Sequence, residues 1–327
     1  MTLLTFEKNA PSVPLHGTAP WTRCNEHPSL TTTVPREYVH RSSLAEVFLT
    51  GYERIGDDVF SLKGQWPRAH TFFVSPDGTG HDPVQAGETI RQVGLFLCHA
   101  EYGVPLGHNV LLWSLGFSTD PAELRIGTDP SELELIATCT DFVWKGSKFS
   151  GLLEVTIYRN GRVAATGTAT FSCVPPAVYR RLRGSHGPGS VLQPLERLTP
   201  IPAADAGRLL PFDVVLAPSD RPDRWLLSPD LGHPILFEHA NDHHPGMVLV
   251  EAARQAACVQ LQQPGRGYVP SGLTAAFHNY AELDQECWID ARLLPGGPAD
   301  TRTVEVTGHQ NGRLIFEATV TGTPAAV

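Results

Sequence analysis

The pattern Glu-x-x-Arg-Gln occurs twice in this sequence, at Glu88–Gln92 and at Glu251–Gln255, each time inside an apolar stretch of helical length. Residues three apart share one face of a helix, so the Glu and the Arg of each copy lie side by side. A partly buried glutamate can have its pKa raised and act as a base, while the guanidinium group of arginine matches a phosphate. The structural alternative is a solvated ion pair worth about 0.2–0.5 kcal/mol, but the apolar neighbours favour burial at a cleft.

A helix must carry each copy, and the residues before it indicate where that helix starts. Pro83 precedes the first copy and Pro245-Gly246 precedes the second, as is typical of the first turn of a helix. Further along, residues 153–170 and residues 304–321 each contain two alternating, β-branched runs joined by Asn-Gly. Because Asn-Gly tolerates the positive φ angles of a type I′ turn, each segment is predicted to be a β-hairpin.

The two hairpins are copies of one another. The turn Asn160-Gly161-Arg162 recurs as Asn311-Gly312-Arg313, an offset of 311 − 160 = 151 residues, with further identities on both sides. Since the order helix then hairpin occurs twice, the chain is predicted to contain two copies of one α+β unit. The predicted boundaries are an N-terminal arm at 1–34, a first unit at 35–183, a Pro- and Gly-rich linker at 184–205 and a second unit at 206–327.

Composition excludes several classes of protein. Lys+Arg 25 against Asp+Glu 34 gives a net charge of −9, so nucleic acid is a poor candidate partner. The 6 cysteines are scattered without a CxxC pair, which indicates a reduced, cytoplasmic protein without a zinc ribbon. No signal peptide and no stretch of about 18 apolar residues is found, so no membrane span is expected. GxGxxG and P-loop motifs are also absent, and no cofactor is predicted.

The segment PGMVLVEAARQA resembles the central helix of hot-dog-fold enzymes that act on acyl thioesters, notably the β-hydroxyacyl-carrier-protein dehydratases. In that family a Pro-Gly opens the helix and a Glu six residues after the Pro is catalytic, a position that Glu251 holds here. The dehydratases also carry a catalytic His eight residues before that Pro, where this sequence has Phe237, and His239 could substitute only with a shorter loop. The resemblance therefore implies the fold but disfavours dehydration.

The whole chain from about Pro35 to Val327 resembles a narrower group, the A-factor synthase family. Four blocks carry this resemblance in order: HDPVQAGETIRQVGLFLCHAEYGVPLGH, FSCVPPAVYRRLRG, DVVLAPSDRPDRW and DHHPGMVLVEAARQAA. The resemblance implies a double hot-dog fold in which two sheets continue across a pseudo-twofold axis. It also implies transfer of a 3-oxoacyl group from acyl carrier protein to the hydroxyl of dihydroxyacetone phosphate, with cyclisation to a butenolide phosphate. Such enzymes make γ-butyrolactone-type or furan signalling molecules.

This reaction suggests roles for the residues of the repeated pattern. Glu88 is our candidate base, and Arg254 is the candidate for binding the phosphate or polarising the carbonyl. Glu251 is the alternative base, or the group that orients Arg254. The free N–H groups of the helix that starts at Gly246 could stabilise an oxyanion.

Further residues are candidates for binding substrate. Arg91 belongs to the first copy, and the amides Gln92 and Gln255 could hold the acyl carbonyl or cap the backbone of the sheet, or could simply be satisfied core amides. His239 and His243 lie just before the second helix and are expected to line the substrate entrance, or to be surface histidines. No metal is predicted there, because Pro245-Gly246 interrupts the helical face that could present both rings.

Arg180, Arg181 and Arg183 form the most compact basic cluster, which would suit an acidic acyl carrier protein or could be a solvated charge run. The expected partners are thus a carrier protein and dihydroxyacetone phosphate, and the expected state is a monomer with an internal pseudo-dimer, or a homodimer. The alternative functions are a hot-dog thioesterase or dehydratase, and a non-catalytic acyl-binding protein.

Overall fold

Both Asn-Gly segments form hairpins in the computed structural model of the chain. Asn160 and Gly161 have φ angles of 51° and 74°, and Asn311 and Gly312 have 50° and 73°, as a type I′ turn requires. The strands before and after each turn pair in the antiparallel sense. The two predicted hairpins are confirmed.

The structure describes residues 31–187, 193–238, 241–261, 268–296 and 301–324. Within these residues there are twelve strands and three α-helices. The strands are β1 Leu49–Gly56, β2 Val59–Trp66, β3 Asn109–Thr119, β4 Ser131–Lys145, β5 Lys148–Arg159, β6 Arg162–Val174, β7 Leu216–Pro218, β8 Arg224–Leu227, β9 Tyr268–Phe277, β10 Cys287–Leu294, β11 Arg302–Gln310 and β12 Arg313–Pro324. The helices are α1 Val84–Ala100, α2 Pro176–Arg183 and α3 Gly246–Leu261.

One continuous antiparallel sheet joins the two repeats. Its order is β1-β2-β4-β5-β6-β3-β9-β12-β11-β10-β8-β7, which reads as the same arrangement from either edge if β1–β6 are matched with β7–β12. The repeats meet where β3 pairs with β9, with Gly116 opposite Thr274. The sheets therefore continue across a pseudo-twofold axis, as the sequence predicts.

Each repeat wraps its sheet around one long helix. Almost every residue of α1 is buried, and α3 is nearly as enclosed, which explains why both sequences are apolar around most of their circumference. Glycines bring α1 close to the sheet: a Cβ on Gly87 would lie 2.9 Å from the Phe117 ring, and a Cβ on Gly94 would lie 3.2 Å from Cε1 of Phe171. Both helices begin where predicted, after Pro83 and after Pro245.

Two histidines at the start of the helix-bearing segments show how closely the repeats correspond. Nδ1 of His70 accepts hydrogen bonds from two successive backbone N–H groups, and Nδ1 of His233 does the same. Nε2 of His70 lies 3.1 Å from Glu46, and Nε2 of His233 lies 3.0 Å from Asp213. Equivalent residues in this region are 233 − 70 = 163 positions apart, the same offset that separates the two Glu-x-x-Arg-Gln copies.

Residues Thr33–Val327 form one compact unit that contains both repeats. The predicted N-terminal arm lies outside the described residues up to position 30, and part of the predicted linker, 188–192, does so too. Across the described ranges, no helix is long and apolar enough to cross a membrane.

Candidate functional site

A cavity of about 280 Å³ lies between α1, the start of α3 and strands β3 and β6. One part of its wall is apolar and the other carries several groups that can hydrogen-bond. The apolar part comprises Ile90, Gly94, Leu95, Val110, Leu112, Ala169, Phe171, Ile235, Leu236 and Met247, and the polar part comprises His40, Arg41, Arg91, His108, Asn109, Tyr179, Glu238, Asn241 and His243. Pro245 and Gly246 complete the wall. An aliphatic chain and a charged or polar head group could thus be held side by side.

The first copy of the repeated pattern forms a buried ion cluster beside this cavity. Arg91 donates from Nε to Oε2 of Glu88 and from Nη2 to Oε1, both at 2.8 Å. Arg41, from the segment before β1, adds a second guanidinium group, with its Nη2 2.7 Å from Oε1 of Glu88. Nη1 of Arg41 donates to the backbone oxygen of Ile235 and to Glu238, both of the second repeat. The cluster therefore connects the two halves of the chain.

Burial and the two arginines act in opposite directions on the pKa of Glu88. Complete burial raises the pKa of the carboxyl, but the charges of Arg41 and Arg91 outweigh this effect and lower the pKa to about 2. Glu88 is thus an anion at neutral pH with its oxygens occupied by donors. A carboxylate in this state accepts a proton poorly.

The second copy has the same architecture but is more enclosed. Arg208 donates to both oxygens of Glu251 at 2.8 and 2.5 Å, and Arg254 donates to both at 2.9 and 2.8 Å. Nη1 of Arg208 reaches the backbone oxygen of Phe72 in the first repeat, which mirrors the contact of Arg41 across the pseudo-twofold axis. Burial would raise the pKa of Glu251, yet the two arginines lower it to about 2.

The two pseudo-equivalent arginines differ in what they can reach. Arg91 lines the cavity with 20% of its side chain exposed, and its Nη1 forms no hydrogen bond with a described residue. Arg254 is buried, and it donates to Glu251, to the backbone oxygen of Ala206 and to Sγ of Cys258. It does not line the cavity. Only the first of the two clusters presents an arginine to this space.

Both predicted amides bind backbone. Oε1 of Gln92 accepts from the N–H of Phe48 while Nε2 donates to the backbone oxygen of Glu46. Gln255 makes the corresponding pair of bonds in the second repeat. Each amide also donates to the Glu of its own cluster. In each repeat the amide thus holds the segment that precedes the first strand of the sheet, and it gives the carboxylate of the cluster one more hydrogen-bond donor.

An Asp-His pair faces the cavity from the segment before α3. Nδ1 of His243 lies 2.6 Å from Oδ1 of Asp242, and His243 lines the cavity with 24% of its side chain exposed. The hydroxyl of Tyr179 donates to the same carboxylate oxygen at 2.8 Å. With Nδ1–H donated to Asp242, Nε2 becomes the basic nitrogen, and no described residue hydrogen-bonds to it.

Arg183 holds this pair in place. Its Nε donates to Oδ2 of Asp242 at 3.1 Å, and its two terminal nitrogens donate to the two oxygens of Glu282 at 2.7 Å. The guanidinium group also stacks over the ring of Tyr280 at 4.2 Å. Burial would raise the pKa of Asp242, but the bonds from His243, Tyr179 and Arg183 lower it to about 2. Asp242 is therefore charged and can stabilise a protonated His243.

The N-terminus of α3 opens onto the same cavity. Gly246 and Met247 line the wall, and the intrahelical bonds start with the N–H of Val248. The first N–H groups of a helix lack intrahelical partners and carry a partial positive charge. A developing oxyanion would thus find donors beside His243.

The structure brings together only some of the predicted site residues. Arg91, His243 and Gly246 share the cavity wall, and Glu88 orients Arg91 from behind. In contrast, Glu251, Arg254 and Gln255 form a closed cluster, and His239 lies outside the described residues. Asp242, Tyr179, Arg183, Arg41 and Arg208 had no assigned site role, or a different one, in the sequence analysis.

The described residues support neither a metal site nor a cysteine nucleophile. No three His, Cys, Asp or Glu residues are arranged there so that they could hold a metal ion. Five cysteines are buried and free, and burial raises the pKa of the Cys258 thiol despite the neighbouring Arg254. This environment is unfavourable for a nucleophilic thiolate.

A long helix wrapped by an antiparallel sheet, present twice in one chain and joined edge to edge, defines the double hot-dog proteins. Within that class the chain belongs to the A-factor biosynthesis hotdog domain family, whose model matches residues 23–175 and 193–326. The fold and the family predicted from the sequence are confirmed.

Several known proteins are similar to this chain. A 2-oxo-3-(phosphooxy)propyl 3-oxoalkanoate synthase from Streptomyces virginiae is 47% identical over 292 residues, which cover 89% of this chain and 98% of that protein. A protein of the same name from Streptomyces coelicolor is 41% identical over 290 residues, covering 88% and 91%. Among solved structures, the 12:0-ACP thioesterase from Umbellularia californica superposes with a TM-score of 0.51 at 10% identity, over 81% of this chain and 94% of that one. This last likeness concerns the fold alone.

Proposed function

We propose that this chain is an acyltransferase that moves a 3-oxoacyl group from an acyl-carrier-protein thioester to the hydroxyl of dihydroxyacetone phosphate. The names of relatives that are 39–47% identical over nearly their full length support this reaction. The observation that carries the proposal is one cavity that combines apolar walls, an arginine, an Asp-His pair and a helix N-terminus.

In the proposed reaction, Nε2 of His243 takes the proton of the attacking hydroxyl. A C–O bond forms to the thioester carbon, the C–S bond breaks, and the proton passes to the leaving sulfur. Asp242 keeps the imidazole in the tautomer that leaves Nε2 unprotonated, and it stabilises the imidazolium ion. The transient oxyanion accepts hydrogen bonds from the backbone N–H groups of Gly246 and Met247.

Arg91 is proposed to bind the phosphate of the acceptor. Its Nε and Nη2 are occupied by Glu88, which leaves Nη1 for the ligand. We therefore assign Glu88 to orienting Arg91 rather than to taking the proton. This revises two expectations from the sequence, namely Glu88 as the base and Arg254 as the phosphate ligand. Glu251 and Arg254 are proposed to be structural.

The acyl chain is proposed to lie along the apolar wall formed by residues such as Leu95, Leu112 and Phe171. Cyclisation of the ester to a butenolide phosphate would follow, because the 3-oxo group acidifies the C–H between the two carbonyls. This carbon would form a bond to the ketone carbon of the acceptor, and the ketone oxygen would leave as water. The product would belong to the γ-butyrolactone type or to the furans.

Mass spectrometry of the purified protein, incubated with a 3-oxoacyl carrier-protein thioester with and without dihydroxyacetone phosphate, tests this function. A phosphorylated ester or butenolide that forms only with both substrates supports the acyltransferase. Free 3-oxo acid formed with or without the phosphate identifies a thioesterase instead. Retention of the acyl chain without turnover identifies an acyl-binding protein.

The same assay tests the proposed base. His243→Ala should lower kcat by about 10²–10⁴-fold, the usual contribution of a general base. His278→Ala, which removes a half-exposed histidine bound to Glu317 outside the cavity, should leave kcat unchanged. Full activity of His243→Ala would return Glu88 to consideration as the base.

A further inference from the structure

The short helix α2 has two faces of opposite character. Tyr179 and Arg183 are four residues apart and lie on the same face, which is buried. Tyr179 forms part of the cavity wall, and both side chains bind Asp242. This face of α2 thus belongs to the site described above.

The opposite face carries the three residues between them. Arg180 and Arg181 are exposed, and the side chain of neither forms a hydrogen bond or an ion pair with a described residue. Leu182 is 56% exposed beside them. The exposed face of α2 thus places one apolar side chain beside two cationic ones.

Arg183 differs from Arg180 and Arg181 in both its burial and its partners. Of the three arginines in this cluster, Arg183 has only 1% of its side chain exposed and holds Asp242 and Glu282. The basic surface is therefore formed by Arg180 and Arg181 alone. It lies one helix thickness from the cavity that Tyr179 lines, on a chain whose net charge is −9.

We propose that the outward face of α2, formed by Arg180, Arg181 and Leu182, is the docking surface for the acidic carrier protein that delivers the acyl group. This inference rests on the proposed function, which requires a carrier-borne thioester to enter the cavity. A negatively charged partner is attracted by the two arginines against the overall negative charge of the chain, so the basic patch also selects where it docks. Leu182 supplies the apolar contact at the centre of such an interface.

Kinetics with two forms of one acyl group test this surface. The 3-oxoacyl group is presented once as the carrier-protein thioester and once as the N-acetylcysteamine thioester, which lacks the protein. The double variant R180E/R181E should raise KM for the carrier thioester by about tenfold and weaken its dependence on ionic strength. It should leave kcat/KM for the small thioester unchanged, because the cavity is intact.

Arg313→Glu is the matched control, since it reverses an exposed charge at the β11–β12 turn of the other repeat. It should change KM for neither substrate. Leu182→Ala should raise KM for the carrier thioester without changing the effect of salt. An unchanged carrier KM in R180E/R181E, or an equal loss with both substrates, overturns the docking surface.

A measurement of carrier-protein binding tests the docking surface independently of acyl transfer. Titration calorimetry of the unacylated, phosphopantetheine-bearing carrier protein should show weaker binding to R180E/R181E than to the wild type and to Arg313→Glu. If the wild type turns over neither thioester but this difference in binding is found, the proposed function fails and the docking surface stands. Equal binding by all three proteins refutes the surface.

Discussion

Replacing Glu251 with glutamine removes the carboxylate charge to which both Arg208 and Arg254 donate. Both guanidinium groups are buried, and each donates two hydrogen bonds to this carboxylate. The nearest other carboxylate in the described part of the chain is Asp82, which lies 3.1 Å from Arg208 and 4.0 Å from Arg254. The variant therefore leaves two buried cations with one shared anion, Asp82, which is close to Arg208 and more distant from Arg254.

The equivalent change in the first repeat should cost less stability. Removing one partner of a buried ion pair typically costs about 3–5 kcal/mol, and we expect Glu251→Gln to fall in this range. In Glu88→Gln, by contrast, Arg41 keeps Glu238 at 2.8 Å, and Arg91 is 20% exposed and can be solvated. We expect a loss of about 1–3 kcal/mol in the free energy of unfolding there.

The effects on activity should have the opposite order. Glu88 orients Arg91, which lines the cavity, so Glu88→Gln should lower kcat/KM by about 10–100-fold through misplacement of the guanidinium group. Glu251 lies in the closed cluster, so the folded fraction of Glu251→Gln should keep the wild-type kcat/KM. The two substitutions thus form a matched pair in which stability and activity separate.

Urea unfolding followed by tryptophan fluorescence measures the first quantity, and initial rates below the unfolding transition measure the second. A larger loss of stability in Glu88→Gln than in Glu251→Gln would contradict these roles. Loss of activity with unchanged stability in Glu251→Gln would also contradict them, because Glu251 would then act in the reaction, as the sequence alone allows.

Two further outcomes follow from the clusters and the cavity. Both Glu88 and Glu251 have pKa values lowered from 4.5 to about 2, so their contribution to stability is complete above about pH 4.5 and is lost as the pH falls towards 2. Urea midpoints measured at decreasing pH should show this loss of stability. In Glu251→Gln the urea midpoint should fall less steeply with pH. A Cβ added at Gly94 would lie 3.2 Å from Phe171 and 3.3 Å from Leu153, and it would narrow the cavity beside its apolar wall. Gly94→Ala should therefore raise KM for long 3-oxoacyl groups more than for short ones. An equal rise in KM for all acyl lengths would show that the acyl group does not lie along this wall.

Local features of the sequence were enough to predict the elements of the fold. The hairpins follow from Asn-Gly between alternating runs, and the helix starts follow from proline and the apolar stretches after it. The duplication predicts how these elements are arranged, because two copies of one helix-and-sheet unit can pair through the edge strands of their sheets. The pairing of β3 with β9 is the physical form of this contact.

The composition of the ion clusters could not be read from the helices alone. The second arginine of each cluster comes from a segment more than 40 residues earlier, 88 − 41 = 47 for Arg41 and 251 − 208 = 43 for Arg208. A signal was present: each arginine is followed five residues later by an acidic residue, Glu46 or Asp213, and then by valine. Comparison of the two repeats over this region predicts both arginines.

The apolar neighbours of Glu88 predict that it is buried, but they do not predict in which direction its pKa is shifted. Burial without partners would raise the pKa of a carboxyl and make it a base, whereas burial between two arginines lowers the pKa and removes that ability. Which case applies depends on groups contributed by distant segments. Asp242 and His243 are adjacent in sequence, but only the fold shows that they are hydrogen-bonded and that His243 lines the cavity.

The edge-to-edge pairing of β3 and β9 has an evolutionary meaning. Hot-dog units that assemble from identical chains must repeat every substitution in both halves, so a change that closes one half closes the other. Here each half has its own coding sequence within one gene, so a substitution in one half leaves the other half unchanged. The ion cluster around Arg254 could therefore become buried and purely structural, while the corresponding cluster kept Arg91 exposed to the cavity. Tandem duplication within a single gene gave this molecule a freedom to specialise that a symmetric dimer lacks.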